Sequence, residues 1–212
     1  MINVAIFNTG SGGKDIYSRL QKSHSIKSFL LIDNSFSGND TKKVVIEKTK
    51  KAINKLKKKK FINIVIACHT AISSIFDDIL KNKKYLRNVN IYEPIVPVCN
   101  VIINKKYTSV TILCTKLTKR LKIHEKVLGF KCNYISSKNL ADYIDEKYNV
   151  SECITNLLKD IDVLNTDCIV LGCTHYSLVE KQIKQQLSEK NYTGVVLNAN
   201  KILVNHINNL LM

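Results

Sequence analysis

Two short segments of the sequence place a thiol beside a hydroxyl and an imidazole. They read Ala67-Cys68-His69-Thr70-Ala71 and Gly172-Cys173-Thr174-His175-Tyr176, one in each half of the chain. Two thiols on opposite sides of one carbon atom can act in turn as base and acid, so one removes a proton and the other returns a proton to the opposite face. This chemistry inverts a stereocentre. A redox disulfide pair and a single nucleophilic cysteine are the alternatives.

Each of these cysteines follows a short apolar run that is typical of a buried parallel strand. The runs cover residues 61–67 and 167–171, and helical spacing follows each of them. Open α/β sheets bind ligands at the carboxyl ends of their strands. A helix N-terminus there lowers a thiol pKa below its usual ~8.5, which we expect for both cysteines. Equivalent positions on two strands favour the two-base chemistry.

Alternation of strands and helices along the whole chain predicts an α/β fold with mainly parallel sheets. We expect two pseudo-symmetric α/β domains, with the active site in the cleft between them. Residues 1–95 plus 194–212 form the predicted first domain, on the Cys68 side, and residues 96–193 form the second, on the Cys173 side. Both prolines lie within 93–97, which we interpret as the first crossing between domains.

Cysteine and apolar content indicate the compartment. Seven cysteines are an odd number, and several lie in or beside predicted buried strands, so we expect reduced thiols and no disulfide framework. The sequence has no close CxxC pair and no histidine spacing typical of zinc, so no metal site is expected. No apolar run reaches the ~20 residues that span a membrane, and residues 1–7 do not resemble a signal peptide, which predicts a cytoplasmic protein.

The formal charge of +16 comes almost entirely from lysine. Its densest run, residues 57–60, ends a predicted helix, where cations complement the helix dipole. We therefore favour a solvated face over a surface that binds nucleic acid or an anionic membrane, and we do not expect a nucleic-acid partner.

Five segments of the sequence resemble the glutamate racemases of the cofactor-independent aspartate/glutamate racemase superfamily. Residues 172–176 are similar to the family's GCTHY block, and residues 67–71 to its ACNTA block. Residues 7–13 resemble FDSGVGG, Glu93-Pro94 the IEP turn, and residues 114–118 the GTxGT segment. The five blocks follow the family's order and cover nearly the whole chain.

The resemblance implies a racemase, an isomerase that interconverts L- and D-glutamate, with aspartate as the other candidate substrate. Cys68 would be the base for the D enantiomer and Cys173 for the L enantiomer, with His175 assisting Cys173. No pyridoxal phosphate or other cofactor is implied. The product would serve peptidoglycan synthesis for the cell wall. A small amino acid is the implied partner, and a homodimer is a further option.

The resemblance also implies a set of polar side chains that bind the substrate. They are Asn8, Thr9, His69, Thr70, Thr118 and Thr174. The last three would hold substrate carboxylates, and Thr9 would contact the amino acid beside Cys68. For Thr115, a helix-cap role and a ligand role are equally open.

Some positions depart from the family pattern. Asn8 stands in place of an aspartate, His69 in place of an asparagine, and residues 33–38 lack the family's Pro-Tyr-Gly loop. If Asn8 is a simple loss, Asn8→Asp should raise the rate. A second hypothesis is therefore a racemase-like relative with altered substrate or lost turnover that acts as a binding or regulatory protein. A third is decarboxylation or isomerisation with only one of the two thiols.

Overall fold

The computed structural model describes residues 1–211 and contains two four-stranded parallel sheets. The strands are β1 Ile2–Asn8, β2 Ile26–Ile32, β3 Asn63–Ile66, β4 Asn90–Tyr92, β5 Val110–Cys114, β6 Asn133–Ser136, β7 Cys168–Leu171 and β8 Val195–Asn198. The first sheet has the order β2-β1-β3-β4 and the second the order β6-β5-β7-β8. The predicted α/β fold with two related, parallel sheets is confirmed.

Helices connect the strands throughout. They are α1 Gly12–Leu20, α2 Lys42–Lys58, α3 His69–Leu80, α4 Ile95–Asn104, α5 Lys116–Leu121, α6 Ile123–Leu128, α7 Leu140–Asp145, α8 Ser151–Leu158, α9 Glu180–Glu189 and α10 Ala199–Leu211. Short 3-10 helices cover Lys84–Leu86 and Thr174–Val179. The second of these begins a segment that the sequence predicts as one continuous helix.

The central strands bring the two thiol-bearing turns to the carboxyl edges of their sheets. All four residues of β3 and all four of β7 are buried, as expected for parallel strands covered on both faces. β1 and β3 pair with Phe7 opposite Ile66, so the residues that follow these strands are neighbours. β5 and β7 end together in the second sheet, with Leu113 opposite Leu171.

Residues 93–97 form the start of a helix, whereas the sequence predicts only a domain crossing there. The Glu93 carboxylate accepts hydrogen bonds from the backbone N–H groups of Ile95 (2.6 Å) and Val96 (2.9 Å) at the N-terminus of α4. Pro94 lies at the N-cap and Pro97 in the first turn. A first turn leaves its N–H groups without intrahelical partners, so proline is tolerated there.

The C-terminal segment contacts both sheets. β8 pairs with β7 and is the edge strand of the second sheet, so the assignment of residues 194–198 to the first domain is wrong. α10 packs Leu203 and Ile207 against the first sheet, on Val4 and Ile6. The remainder of the predicted division, 1–95 and 96–193, stays a prediction.

Candidate active site

A single cavity contains both candidate thiols. It has a volume of about 260 Å³ and lies at the carboxyl ends of strands from both sheets. Among the predicted site residues, its lining includes Thr9, Cys68, His69, Thr70, Cys173, Thr174 and His175. Asn8 and Thr118 do not line it. The fold therefore brings together most of the predicted site from two distant parts of the chain.

Cys68 lies at the N-cap of α3, two residues beyond β3, and is buried. The Thr9 hydroxyl donates a hydrogen bond to Cys68 Sγ over 3.4 Å. Burial raises the pKa of the Cys68 thiol, and the hydrogen bonds from Thr9 and from the backbone of Ala71 oppose this rise only in part. The expected lowering of the Cys68 pKa is therefore wrong. Cys68 is a thiol at neutral pH.

Cys173 is the first member of a chain of interacting groups. Its Sγ lies 3.8 Å from Nδ1 of His175, and Nε2 of His175 lies 3.2 Å from Oδ2 of Asp145. The other carboxylate oxygen of Asp145 accepts a hydrogen bond from the backbone N–H of Ser11 over 2.9 Å. The carboxylate thus orients the imidazole toward the sulfur.

The pKa values of this group favour an ion pair. Burial alone would lower the pKa of His175, but the hydrogen bonds with Asp145 and Cys173 outweigh burial and raise the pKa to about 10. For Asp145, burial opposes the effect of His175, and the pKa still falls to about 2. At neutral pH, His175 is an imidazolium paired with the Asp145 carboxylate. A positive charge and a transferable proton therefore lie beside the sulfur of Cys173.

Asp145 is a site residue that the sequence reasoning missed. The sequence predicts a helix near residues 138–147 without a functional role. In the structure, α7 places Asp142 and Asp145 on the cavity lining, and its C-cap residue Glu146 lies there too. One signal could have identified them. α7 follows β6, so it starts at the same sheet edge as the thiol-bearing turn after β7.

Three threonine hydroxyls form a chain at another part of the cavity. The oxygens of Thr70 and Thr115 lie 2.9 Å apart, and the Thr115 hydroxyl donates to Thr118 over 3.1 Å. Thr115 caps α5 and also lines the cavity, whereas Thr118 is fully buried behind it. Of these two threonines, Thr115 therefore reaches the cavity surface and Thr118 does not.

His69 forms part of the cavity wall and stacks on a second buried histidine. Its ring centroid lies 6.0 Å from that of His124, and the planes differ by 15°. Burial lowers the pKa of His69 to about 3 and that of His124 to about 4, so both rings are neutral. None of their four nitrogen atoms has a hydrogen-bond partner within residues 1–211. The two rings therefore form an uncharged, buried stack behind this side of the cavity.

The loop after β2 connects the two halves at the cavity. Asn34 Oδ1 accepts a hydrogen bond from the backbone N–H of Gly10 over 2.9 Å, and Asn39 donates to the carbonyl of Lys138 over 3.0 Å. A Cβ at Gly38 would lie 2.3 Å from Cβ of Thr115, so only glycine permits this approach. The loop lacks the family's sequence but still covers the cavity.

Comparison with known proteins identifies the family. The glutamate racemase of Buchnera aphidicola subsp. Acyrthosiphon pisum (strain Tuc7) is 32% identical to this chain over 197 residues, which are 86% of this chain and 74% of the relative. This chain belongs to the glutamate racemase family. The glutamate racemase of Aliivibrio fischeri (strain ATCC 700601 / ES114) is 29% identical over 200 residues, 89% of this chain and 74% of the relative. No protein-family model matches the chain.

Solved structures agree on the fold. The crystal structure of glutamate racemase from Francisella tularensis subsp. tularensis SCHU S4 in complex with D-glutamate matches with a TM-score of 0.85 at 18% identity. The match covers 99% of this chain and 81% of that chain. Membership of the glutamate racemase family makes this chain an amino-acid racemase and therefore an isomerase.

Within residues 1–211 of this racemase, no helix has the length and apolar character needed to cross a membrane. The same residues contain no group of three or more histidine, cysteine, aspartate or glutamate side chains that could hold a metal ion.

Proposed function

We propose that this racemase interconverts L- and D-glutamate by proton transfer between Cys68 and Cys173. The observation that carries the proposal is that both thiols line one small cavity, each at the carboxyl edge of its own sheet. Different groups support the two sulfurs, with Thr9 on one and His175 on the other. The names of the relatives support glutamate as the substrate.

The reaction begins on the L enantiomer at Cys173. In this proposal a Cys173 thiolate beside His175 takes the α proton, so that the C–H bond breaks and an S–H bond forms. The electron pair stays on the α carbon as a carbanion. The Cys68 thiol then gives its proton to the opposite face, which leaves a Cys68 thiolate and the D enantiomer. The reverse reaction uses the same groups in the opposite order.

The cavity offers two kinds of surface to an amino acid. Asp142, Asp145 and Glu146 form an acidic side, which suits the α-ammonium group of the substrate. Thr70 and Thr115 place uncharged hydroxyl groups on another part of the lining. We assign the side-chain carboxylate of the substrate to these hydroxyls, which turn away from Thr115 and Thr118 to donate to it. In this assignment Thr115 has the role first predicted for Thr118.

An α-proton exchange screen in D₂O tests this function. Both enantiomers of each common amino acid are incubated with the enzyme, and loss of the α-proton signal is followed by NMR. We expect the fastest exchange for glutamate, followed by aspartate. Faster exchange of a neutral or basic amino acid would overturn the substrate assignment. Binding of glutamate without exchange would favour the hypothesis of a regulatory relative that has lost turnover.

Three further expectations belong to the same proposal. The protein acts in the cytoplasm, supplies D-glutamate for peptidoglycan synthesis and assembles as a homodimer. Sedimentation equilibrium at several protein concentrations, with and without glutamate, measures the assembly directly. A mass equal to one chain of 24.1 kDa under all conditions would contradict the homodimer.

A further inference from the structure

We propose that Asn8 is a positioning residue that joins the two thiol-bearing turns, and that it does not stand for a lost catalytic aspartate. This inference rests on the proposed two-thiol racemisation. Asn8 lies at the end of β1 with no exposed surface, and it does not line the cavity. Its side chain therefore has no direct path to a substrate amino group. Its effect on the reaction passes through the residues that it holds.

The hydrogen bonds of Asn8 use both ends of its amide. Nδ2 donates to the carbonyl oxygens of Thr9 (2.8 Å) and Gly10 (3.3 Å), and Oδ1 accepts from the Thr174 hydroxyl (3.2 Å). This network also fixes the orientation of the amide. In the reversed orientation, Oδ1 would face two carbonyl oxygens without a hydrogen atom between them.

The Thr174 side chain connects this amide to the turn before Cys68. Its hydroxyl lies 3.2 Å from the carbonyl oxygen of Ala67 as well as 3.2 Å from Asn8 Oδ1. Ala67 precedes one thiol, and Thr174 follows the other. Thr9, whose carbonyl Asn8 holds, donates to Cys68. One buried polar cluster thus fixes both sulfurs relative to each other.

The main chain of Thr174 is held from the other side. Asn200 at the start of α10 donates to the Thr174 carbonyl over 3.2 Å and to Asp15 over 2.9 Å. Close packing adds to this restraint. A Cβ at Gly12 would lie 2.7 Å from the Thr174 carbonyl carbon, and one at Gly13 would lie 2.6 Å from Cβ of Asn8. The N-terminus of α1 therefore packs directly on both members of the pair.

An ionised aspartate cannot replace Asn8 in this cluster. A carboxylate has no donor, so it would face the carbonyls of Thr9 and Gly10 as an uncompensated buried charge. Only the protonated acid restores one donor. The titratable groups on the surrounding elements are the two thiols, His175, Asp145 and Asp15, and none of these described groups donates a hydrogen bond to Asn8. An introduced carboxyl would therefore favour its neutral form.

The central test compares Asn8→Asp with Asn54→Asp, which makes the same change of charge at an exposed position on α2. Relative to wild type, kcat/KM for glutamate should fall about 10- to 100-fold at pH ~8 for Asn8→Asp and stay unchanged for the control. The ratio of the Asn8→Asp rate to the wild-type rate should rise as the pH falls to ~6, because protonation of the introduced carboxyl restores one hydrogen-bond donor. An Asn8→Asp rate at or above that of wild type at pH ~8 would overturn the proposal.

A double-mutant cycle tests the connection to Thr174. We expect the double variant Asn8→Ala/Thr174→Val to lose little more kcat than either single variant, because each single change already breaks the same cluster. Thr174→Ser keeps the hydroxyl and should recover most of the kcat lost in Thr174→Val. Additive losses, or a Thr174→Val effect confined to KM, would contradict the inference.

Thermal unfolding separates this inference from the proposed function, because it requires no turnover. The midpoint of Asn8→Asp, relative to wild type, should be lower at pH ~8 than at pH ~6. Wild type could exchange no amino-acid α proton while Asn8→Asp still shows this pH dependence. That result would contradict the proposed reaction and support the structural role of the Asn8 hydrogen bonds. A midpoint that equals wild type at both pH values contradicts the cluster.

Discussion

The two thiols differ in what surrounds them. Cys173 has an imidazolium beside it, paired with the Asp145 carboxylate, whereas Cys68 has the neutral Thr9 hydroxyl and a pKa raised by burial. The groups beside the two sulfurs therefore differ in charge. In the proposed reaction of the L enantiomer, Cys173 is the base and Cys68 is the proton donor.

Removing the Asp145 carboxylate should change the pH dependence of the L-to-D reaction. The His175 pKa is raised to about 10, so the stability that this pairing contributes is complete below His175's ordinary pKa of ~6.5 and is lost as the pH rises through about 10. Asp145→Asn lowers the His175 pKa. We expect kcat for L-glutamate to fall about 10- to 100-fold, with the alkaline limb of the pH–rate profile at lower pH.

The control for this experiment is Asp160→Asn, a change of the same charge at an exposed residue outside the cavity lining. Its profile should match that of wild type between about pH 6 and 10. An unchanged alkaline limb in Asp145→Asn would show that the ion pair does not set the protonation of His175.

The local sequence identified the thiols and their neighbours, because an apolar strand, a small residue and polar residues stand next to each cysteine. The residues around Asp145 alone do not identify it, because its partner His175 lies 30 residues away. The same limit applies to Asn8, since its role depends on a Thr174 contact across 166 positions. Side-chain type gives a residue's chemistry, but tertiary contacts decide whether it faces substrate or another side chain.

At the scale of elements, α3 positions Cys68. Its first eight residues are all buried, because the helix lies among α2, α5 and the first sheet. Ile72 is fully buried on α3, in the first turn after Cys68. The position of the thiol thus depends on the packing of this turn.

Ile72→Ala should therefore destabilise the protein. Deleting the buried side chain leaves a cavity and should lower the free energy of unfolding by about 2–5 kcal/mol. Ile103→Ala on α4 is the matched control. Ile103 is 50% exposed, so this substitution should lower the free energy of unfolding by much less than Ile72→Ala does. Urea unfolding measures both values. Equal losses in the two variants would contradict the importance of this packing.

The element boundaries show what a pattern can predict. The amphipathic spacing of α2 predicts an inward face made of Val44, Val45, Thr49, Ala52, Ile53 and Leu56. All of these are buried except Val44, which is half-buried. β8 is different, because a three-residue apolar run does not indicate which sheet it joins. Its place beside β7 follows from tertiary pairing alone.

At the scale of the whole molecule, the net charge of +16 opposes the compact state through self-repulsion. One group of lysines lies along the C-terminal part of α2 and its C-cap, where Lys51, Lys55, Lys58 and Lys59 line a shallow groove. Salt should therefore stabilise the protein. Like-charge repulsion of this kind requires no polyanion partner.

Raising NaCl from about 50 to 500 mM shortens the range of these repulsions and should raise the midpoint of thermal unfolding by roughly 2–4 °C. A variant with Lys51, Lys55 and Lys58 replaced by glutamine should show a smaller rise. Differential scanning calorimetry provides the measurement. A midpoint that falls with salt would mean that attractive ion pairs outweigh the repulsion.

The central claim is that each thiol serves one face of the α carbon, and one-way deuterium exchange tests it most directly. Cys68→Ser and Cys173→Ser are incubated separately with L- and D-glutamate in D₂O, with Cys153→Ser, outside the cavity lining, as control. Neither site variant should racemise. Cys68→Ser should exchange only the L α proton, slowly and without inversion, and Cys173→Ser only the D α proton. Full racemisation by either variant, or exchange of both enantiomers by one, would contradict the account.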